Sequence, residues 1–388
     1  MIPHSRRRLV LLVTTVLSAL LLLQVLSLPA SQDVWTGVER VVAVGDVHGD
    51  YDQFVSVLQS AGLIDAQGHW SGGKTHLVQT GDILDRGTDS RKVMDLLMKL
   101  EEEAPSAGGQ VHVLIGNHEA MNVYGDLRYV TLEDFAAYQD ANSEKAREQL
   151  YKKHQEALEA LPPPGGVPKF DDAYRKKWEV EHPLGYAEHR LAFGSKGKYG
   201  NWIRSHSAVI QIDRTLFLHA GISPKYAGWN IQQINDRVRD ELRDFTKLQG
   251  GIVMDGEGPL WYRGLAQGDP TSVGSLVKTV LKNYKVERIV IGHTFTEGAI
   301  LPRFDGKVFL IDIGLARLYD SRLRMSCLLI ENGRPYALHR GKKLTLPSES
   351  VQDMLRYFKE AAALDPPPSS LTKIIAGLET RLAASNQK

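Results

Sequence analysis

The sequence predicts an α/β fold in which several strands end in polar side chains that meet at one place. One apolar run, residues 77–79, passes through Gly81 directly onto Asp82, Asp85 and Arg86. Charged groups at the end of a buried strand keep their charge only when they are paired or hold a metal ion. This segment therefore requires partners from elsewhere in the chain.

Four further segments follow the same design, in which an apolar strand ends in Asp, Asn or His beside a glycine. They are residues 41–49, 111–119, 216–221 and 289–294. Amphipathic helical patterns at 51–61 and 89–103 follow the first two strands in chain order. Because strands alternate with helices, the chain is built from α/β units, and we expect the five strand ends to converge.

The composition excludes several classes of protein. The chain has 388 residues, and we expect one catalytic domain at 38–346 because the strand ends are spread over 41–294. Its 47 basic and 46 acidic residues leave a net charge of +1, so we expect no nucleic-acid partner. Cys327 is the single cysteine, which rules out an intrachain disulfide and a metal site made of thiolates.

Residues 1–30 have the pattern of a targeting segment. Arg6, Arg7 and Arg8 precede an almost wholly apolar run at 9–28, which is long enough to span a bilayer as a helix. The segment is either a signal peptide, with a cleavage site near Ala30, or an uncleaved membrane anchor. We therefore expect an exported protein that is periplasmic, secreted or membrane-anchored, and that associates with the membrane through 9–28 if the segment is not cleaved.

Two further regions are predicted to be helical. Residues 131–190 are rich in charge, are interrupted by Pro-Pro-Pro-Gly-Gly at 162–166, and form an insertion between the third and fourth motif strands. This insertion either shapes the substrate site or is a solvated addition without catalytic consequence. Residues 347–388 predict a C-terminal tail of two short helices, which either packs on the domain or remains detached.

Six side chains at the strand ends are of the types that bind divalent metal ions. They are Asp46, His48, Asp82, Asn117, His219 and His293. Carboxylate, amide oxygen and imidazole suit hard or borderline ions, and two such ions can hold a phosphoryl group from both sides. Asp82 is the expected bridging ligand, because its strand lies between the turns of Asp46 and Asn117. Manganese is the expected metal, and Fe, Zn or Mg would accept the same donors.

Three motifs carry a close resemblance to a known family. They read Gly-Asp-x-His-Gly at 45–49, Gly-Asp-x-x-Asp-Arg-Gly at 81–87 and Gly-Asn-His-Glu at 116–119, and two strand ends with a single histidine follow. In this order they resemble the metallophosphoesterases and, within them, the phosphoprotein phosphatase family. The resemblance covers residues 41–330 and implies a calcineurin-like β-sandwich flanked by helices.

The resemblance assigns the six donors to two metal ions. Asp46 and His48 would hold the first ion, Asp82 would bridge both, and the second ion would be completed by Asn117, His219 and His293. Many other members of the wider superfamily read Gly-His-x-His where this chain reads Gly-His-Thr-Phe at 292–295. Because Phe295 cannot bind a metal ion, the first ion should have fewer protein ligands and more water.

The resemblance also implies how the substrate is handled. His118 would be the acid that protonates the leaving group, and Asp85 would orient it. The substrate phosphate would be held by Arg86, Arg263 and Asn117. The catalytic residues would therefore be His118 and Asp85, and no serine or cysteine nucleophile is needed.

Departures from the usual motifs point to one branch of the family. The sequence reads His-Ala-Gly at 219–221, where eukaryotic serine/threonine phosphatases usually have His-Gly-Gly, and Leu-Trp-Tyr-Arg-Gly at 260–264. Together with residues 121–130 and 200–204, these features resemble the Shewanella-like, bacterial-type branch. Within these segments, Asp126 and Arg128 are candidates for supporting the acid, and Trp261 and Tyr262 either form the pocket wall or pack in the core. Glu119, in the third motif, either orients a ligand or is a packed, hydrogen-bonded carboxylate.

The function expected from these residues is hydrolysis of phosphate monoesters, with phosphorylated protein at Ser/Thr or Tyr as the substrate, by attack of metal-bound hydroxide. One alternative is a small-molecule enzyme such as a dinucleoside polyphosphate hydrolase, against which Asp85 argues because that group usually lacks this aspartate. Another alternative, of a different class, is an inactive membrane-tethered binding module. Such a module should lack a ligand or the acid, and the sequence lacks neither.

Overall fold

Twelve strands form two six-stranded sheets in the computed structural model, which describes residues 32–385. The first sheet has the order β1 (Val34–Trp35), β5 (Val209–Ile212), β6 (Thr215–Leu218), β7 (Arg288–Ile291), β9 (Val308–Leu310) and β8 (Leu301–Arg303). The second has the order β12 (Lys342–Thr345), β11 (Arg334–His339), β10 (Ser326–Glu331), β2 (Arg40–Val44), β3 (His76–Gln79) and β4 (Gln110–Val113). Residues of both sheets belong to one hydrophobic core.

The five motif strands run parallel to their motif neighbours. In the second sheet β2, β3 and β4 are parallel, with Val42 opposite Leu77 and Leu77 opposite Val111. In the first sheet β6 and β7 are parallel, with Leu216 opposite Ile289. These strands are apolar without strict alternation because both of their faces are covered. Since parallel strands end at the same edge of a sheet, the polar residues after each strand are brought together.

Helices flank the sheets. They are α1 (Tyr51–Ser60), α2 (Ser90–Glu103), α3 (Asn117–Tyr124), α4 (Leu132–Ala136), α5 (Ser143–Ala160), α6 (Asp172–Glu181), α7 (Tyr186–Phe193), α8 (Lys198–Ser205), α9 (Ile231–Arg243), α10 (Gly264–Gln267), α11 (Pro270–Tyr284), α12 (Val351–Ala362) and α13 (Thr372–Ser385). The helix α1 shows why these segments are helical. Asp50 caps its N-terminus by accepting a hydrogen bond from the Gln53 amide, and the apolar residues Phe54, Val57 and Leu58 share its buried side.

The segment between the third and fourth motif strands is helical. Its helices α5 and α6 are largely exposed, and the buried residues Tyr151 and Trp178 pack against each other with their ring centroids 4.9 Å apart. The neighbouring helix α7 contacts α5 and α8. The helical insertion expected at this place in the fold is therefore present, whereas its boundaries at 131 and 190 stay a prediction.

The C-terminal helices pack on the domain. α12 and α13 contact each other, and Tyr357, Phe358 and Leu371 are fully buried in the common core. Asp365, in the connection between the two helices, accepts hydrogen bonds from His339 and Arg340 of the second sheet region at 2.9 and 2.8 Å. Of the two arrangements left open by the sequence, the structure has the packed one.

The predicted α/β sandwich flanked by helices is confirmed by these two sheets and their helices. The predicted targeting segment at 1–30 lies outside the described residues. Within residues 32–385, none of the helices combines the length and apolar character that a membrane span requires.

Candidate active site and metal centre

All six predicted metal donors are buried and lie at the shared edge of the two sheets. Asp46, His48, Asp82 and Asn117 follow strands of the second sheet, and His219 and His293 follow strands of the first. A cavity of about 410 Å³ opens over five of them, and the fully buried His219 lies beneath it. The convergence expected from the strand ends is therefore found in the structure.

Sharp turns direct the donors toward one another. His48, Asp82 and His293 have φ angles of 45°, 55° and 62°, in the left-handed region that residues other than glycine seldom adopt. Gly116 allows the third turn to approach the second, since a Cβ at this position would lie 2.4 Å from Asp82 Oδ1. The glycines of the motifs thus permit close packing around the bridging carboxylate.

One group of donors surrounds His48. Its Nε2 atom lies 3.9 Å from Asp46 Oδ2 and 3.9 Å from Asp82 Oδ2. Its Nδ1 atom donates to the Leu84 carbonyl at 2.9 Å, which fixes the tautomer and leaves the Nε2 lone pair facing the two carboxylates. This geometry suits the first predicted metal ion.

A second group surrounds His219. Its Nε2 atom lies 3.3 Å from Asp82 Oδ2, 2.9 Å from Asn117 Oδ1 and 3.0 Å from His293 Nδ1. The donor atoms of Asp82, His219 and His293 all lie within 4.8 Å of one another. Asp82 therefore belongs to both groups, as the predicted bridging ligand requires.

Hydrogen bonding tests whether these residues fit metal ions. His219 Nδ1 lies 2.8 Å from the Thr80 carbonyl and must donate to it, so the neutral ring presents a lone pair at Nε2. That lone pair faces oxygen atoms of Asp82 and Asn117, which are themselves acceptors. In addition, Asp46 Oδ2 and His293 Nε2 are buried without a hydrogen-bond partner. A set of buried acceptors that face one another fits bound cations, because each cation satisfies several of them.

The pKa values show how unfavourable this cluster is without cations. Burial, together with Asp312 and Asp82, raises the pKa of Asp46 well above its usual value. Burial also lowers the pKa of His48 to about 3 and that of His293 to about 2. These shifts favour the neutral rings of His48 and His293, which is the form that binds metal ions, whereas the raised pKa of Asp46 reflects carboxylates that lack enough positive charge nearby.

The predicted acid and its partner are in direct contact. His118 Nδ1 lies 2.6 Å from Asp85 Oδ2, and Asn122 Nδ2 donates to the other oxygen of Asp85 at 2.9 Å. Burial alone would lower the pKa of His118, but Asp82 and Asp85 raise it. His118 Nε2 lies 3.8 Å from Asp82 Oδ2 and could reach the first group of donors, yet its hydrogen bond to Asp85 favours the protonated ring of an acid.

The two predicted phosphate arginines both line the cavity. Arg86 lies 3.3 Å from His118 Nε2 and is hydrogen-bonded to the hydroxyl of Tyr319. Arg263 donates to the His293 carbonyl and to Thr294 Oγ1. With Asn117, these cations can direct hydrogen bonds at a phosphate group above the metal donors. The roles of all the predicted site residues stay predictions. Eight of the ten line this cavity, and the other two, Asp85 and His219, contact the lining residues His118 and Asn117.

Several supporting residues were left open or missed in the sequence. Glu119 accepts from the amides of Asp82 and Ile83 at 2.7 and 2.9 Å and so orients the bridging residue. Asp312 also lines the cavity, and burial raises its pKa to about 6. Asn122 could have been found, because it lies one helical turn after His118. No comparable pattern marks Asp312.

Other candidates lie away from the cavity. Asp126 and Arg128 form an ion pair with each other at 2.5 Å, and neither lines the cavity. Trp261 lines it, as expected, whereas Tyr262 does not. Tyr262 instead lies against Gly221 and Gly264, where its ring packs beside the loop that carries Arg263.

The cavity thus combines buried carboxylates and imidazoles with two arginines in its lining. This combination defines the protein as a metal-dependent phosphoester hydrolase. Comparison with known proteins specifies it further. The family model described as calcineurin-like phosphoesterase matches residues 39–296. The chain therefore belongs to the calcineurin-like phosphoesterase family.

Individual relatives agree with this assignment. The chain is 31% identical over 297 residues to an uncharacterized protein of Schizosaccharomyces pombe, which covers 72% of this chain and 74% of that protein. It is 29% identical over 292 residues to Shewanella-like protein phosphatase 2 of Arabidopsis thaliana, covering 72% of each. A crystal structure of a cold-active protein-tyrosine phosphatase from a psychrophilic Shewanella species superposes with a TM-score of 0.62 and 29% identity, covering 83% of this chain and 85% of that one.

These comparisons confirm the predicted resemblance to the Shewanella-like branch of the phosphoprotein phosphatases. With the two groups of metal donors that share Asp82, the chain is a dinuclear-metal phosphatase that depends on divalent ions.

Proposed function

We propose that this phosphatase removes phosphate from phosphorylated proteins, with tyrosine phosphate as its preferred substrate. The observation that carries the proposal is the ring of aromatic side chains around the cavity. Tyr129, Phe295 and Tyr319 line it and keep 40%, 40% and 37% of their surface exposed. Aromatic pairs gain about 0.5–1.5 kcal/mol beyond their buried area, so these rings favour an aromatic leaving group over the short chain of serine.

The aromatic residues are held close to the phosphate arginine. The guanidinium carbon of Arg86 lies 5.2 Å from the ring centroid of Tyr129 and 5.9 Å from that of Tyr319. The rings of Phe295 and Tyr319 are stacked at 5.7 Å. A phosphotyrosine whose phosphate is bound by Arg86 would therefore place its own ring among these side chains. The solved tyrosine phosphatase to which the chain is similar supports the same preference.

The residues at the cavity have separate roles in hydrolysis. Arg86, Arg263 and Asn117 bind and orient the phosphate oxygens. His118 donates the proton of its Nε2 atom to the leaving oxygen, and Asp85 holds the ring in the required tautomer through Nδ1. Two divalent ions, when bound, supply the charge that activates a water molecule and neutralises the phosphate.

The test compares rates on a phosphotyrosine peptide, the matching phosphoserine peptide, a nucleotide and a dinucleotide, all with added manganese. We expect the phosphotyrosine peptide to have the highest kcat/KM. Tyr319→Leu should reduce the preference for tyrosine by about two- to tenfold, the range of an aromatic contact, whereas Tyr319→Phe should retain it. A dinucleotide that is hydrolysed faster than both peptides would contradict the proposal and favour the small-molecule alternative.

We further propose manganese as the native metal. Each group of donors combines carboxylate or amide oxygen with imidazole, a mixture that manganese accepts and that Fe, Zn and Mg accept to differing degrees. Elemental analysis of the purified protein, followed by reconstitution of the stripped protein with each metal, distinguishes them. Full activity with zinc alone would contradict the proposal.

We also propose that the protein is exported, on the basis of the arginines and apolar run of residues 1–30. Export would separate it from intracellular phosphoproteins, so its substrates would lie outside the cytoplasm. Cell fractionation with an activity assay tests this proposal, and N-terminal sequencing of the recovered protein shows whether 1–30 is a cleaved signal or an anchor. Recovery of the intact chain in the cytoplasm would contradict export.

A further inference from the structure

The turn that carries the acid's partner and one phosphate arginine is strained. Asp85 and Arg86 have φ angles of 69° and 67°, and both therefore adopt the left-handed conformation that costs residues other than glycine free energy. A strained turn persists only when its surroundings hold it in place. Here, contacts on two sides hold the turn.

Backbone contacts hold one side of the turn from outside the motif. The Arg86 amide donates to the Tyr129 carbonyl at 3.0 Å, and Thr131 Oγ1 donates to the Gly87 carbonyl at 2.9 Å. Both partners lie where the chain enters the helical insertion. The insertion is therefore fastened directly to the turn that carries Arg86.

A side-chain relay holds the other side of the turn. The Asp85 amide donates to Ser90 Oγ at 3.1 Å, and Ser90 Oγ donates to Asp134 Oδ2 at 3.0 Å. Asp134 Oδ1 also accepts from the Ser90 amide at 3.2 Å. Asp134 and Ser90 are both buried, so water cannot replace these contacts without opening the structure.

We infer that Asp134, acting through Ser90, is a positioning residue that holds Asp85 and Arg86 in their catalytic arrangement and so makes the helical insertion part of the catalytic apparatus. The inference rests on the roles of Asp85 and Arg86 in the proposed function. The buried carboxylate of Asp134 in α4 is bonded to Ser90, the first residue of α2, which in turn accepts from the Asp85 amide. The hydrogen bonds of Asp134 therefore give the helical insertion a definite role, which the sequence had left open.

A purely structural role is the alternative, because Asp134 also accepts from the N-terminal amide of α2 and would stabilise that helix. The two roles differ in what they change. Loss of helix stability lowers the melting temperature and the fraction of folded protein, and it reduces the rate on all substrates by the same factor. Loss of positioning weakens the His118–Asp85 pair, which matters most when the leaving group needs a proton.

The test compares wild type with Asp134→Ala, using an alkyl phosphate and an aryl phosphate with a good leaving group, at equal metal content. We expect kcat/KM to fall about tenfold or more for the alkyl phosphate and about threefold for the aryl phosphate, since small displacements of catalytic groups are costly. Asp134→Asn should recover much of the loss, because its amide can still accept from the Ser90 amide and donate to Ser90 Oγ. Glu133→Ala, at the exposed neighbouring position of the same helix, is the matched control and should match wild type.

Ser90→Ala provides a second variant if Asp134→Ala does not fold, because it removes the relay and keeps the carboxylate. It should change the ratio of the two rates in the same direction. Equal loss on both substrates in both variants would overturn the inference and establish the structural role. Failure of the proposed function is distinguishable, because it would appear in wild type, as a dinucleotide hydrolysed faster than both peptides, and not as a changed ratio of the two rates in the variants.

Discussion

Two places in this protein contain carboxylates close to imidazoles, one buried and one partly buried, and they are built in opposite ways. In the active site, Asp46 Oδ2 is buried without a hydrogen-bond partner, and Asp46 Oδ1 accepts only the His293 amide at 2.9 Å. Beside the C-terminal helices, Asp365 accepts from His339, Arg340 and Ser369 at 2.9, 2.8 and 2.7 Å. Asp365 is satisfied by the protein alone, whereas Asp46 is not.

The pKa values express the same difference. Burial raises the pKa of Asp46 well above its usual value. Burial alone would also raise the pKa of Asp365, but the hydrogen bonds from His339, Arg340 and Ser369 lower it to about 2. An acid surrounded by hydrogen-bond donors, such as Asp365, stabilises the fold, whereas a buried acid among acceptors, such as Asp46, is a site suited to cations.

The largest effect is expected from Asp82→Asn, which removes charge from the ligand shared by both groups of donors. Turnover should be abolished and metal content should fall, because an amide replaces a carboxylate oxygen at the bridging position. Elemental analysis and a phosphatase assay measure both quantities. Retention of two ions per chain would show that Asp82 is not the bridge. Asp365→Asn is the matched control and should retain metal and turnover.

The next largest effect is expected from His118→Asn. This variant should keep its metal content but hydrolyse substrates about a hundredfold or more slowly, the usual size of general-acid assistance. The loss should be smaller for aryl phosphates with good leaving groups, which need no proton. If alkyl and aryl phosphates are slowed equally, His118 is not the acid.

Removal of the metal ions should distinguish the active site from the site of Asp365, with the melting temperature as the measurement. Ions that bind the folded state alone stabilise it by about 2.7 kcal/mol at a hundred times their dissociation constant. We therefore expect chelation to lower the melting temperature of wild type and of Asp365→Asn, but to have little effect on Asp82→Asn. A melting temperature of wild type that does not respond to chelation would contradict the cation site.

The smallest effect is expected from Asp365→Asn. Because the pKa of Asp365 is lower in the folded chain than its ordinary value of 3.8, its contribution to stability is present above that value and is lost as pH falls toward about 2. We expect a loss of about 1–2 kcal/mol at neutral pH, allowing for solvent screening. Urea unfolding at pH 7 and at lower pH measures it. If Asp365→Asn loses as much free energy of unfolding at pH 2 as at pH 7, the charge of the Asp365 carboxylate is not the source of this stability.

The sequence predicted the site better than its surroundings. Each metal donor follows an apolar strand, and five of the six lie next to a glycine, so both the strand and its end could be recognised from local residues. Asp312 lacked such a signal, because it lies between Ile311 and Ile313 in an otherwise apolar run that is typical of one continuous strand. In the structure β9 ends at Leu310, and the Gly314 amide bonds Asp312 Oδ1 at 2.9 Å in a turn. Besides this local bond, the Asp312 carbonyl accepts from the amide and the hydroxyl of Thr296 at 2.9 and 3.0 Å, and periodicity cannot reveal such tertiary contacts.

Long-range contacts also explain what was missed around the acid. The relay from Asp134 to Asp85 joins residues 49 positions apart, and Ser90 reads in the sequence only as the start of a helix. Tyr319 lies in a segment without helix or strand, where no pattern indicates its contact with Arg86. The motifs therefore predicted which side chains converge on the cavity. The groups that orient those side chains depend on how distant segments pack, so they could not be predicted.

The division of donors between the two sheets has a consequence for the whole domain. Asp82 belongs to one sheet and His219 to the other, and their donor atoms are only 3.3 Å apart. Sliding one sheet over the other by an ångström would be enough to separate them. Substitutions deep in the interface between the sheets, far from any substrate, should therefore tune catalysis by changing the alignment of the sheets.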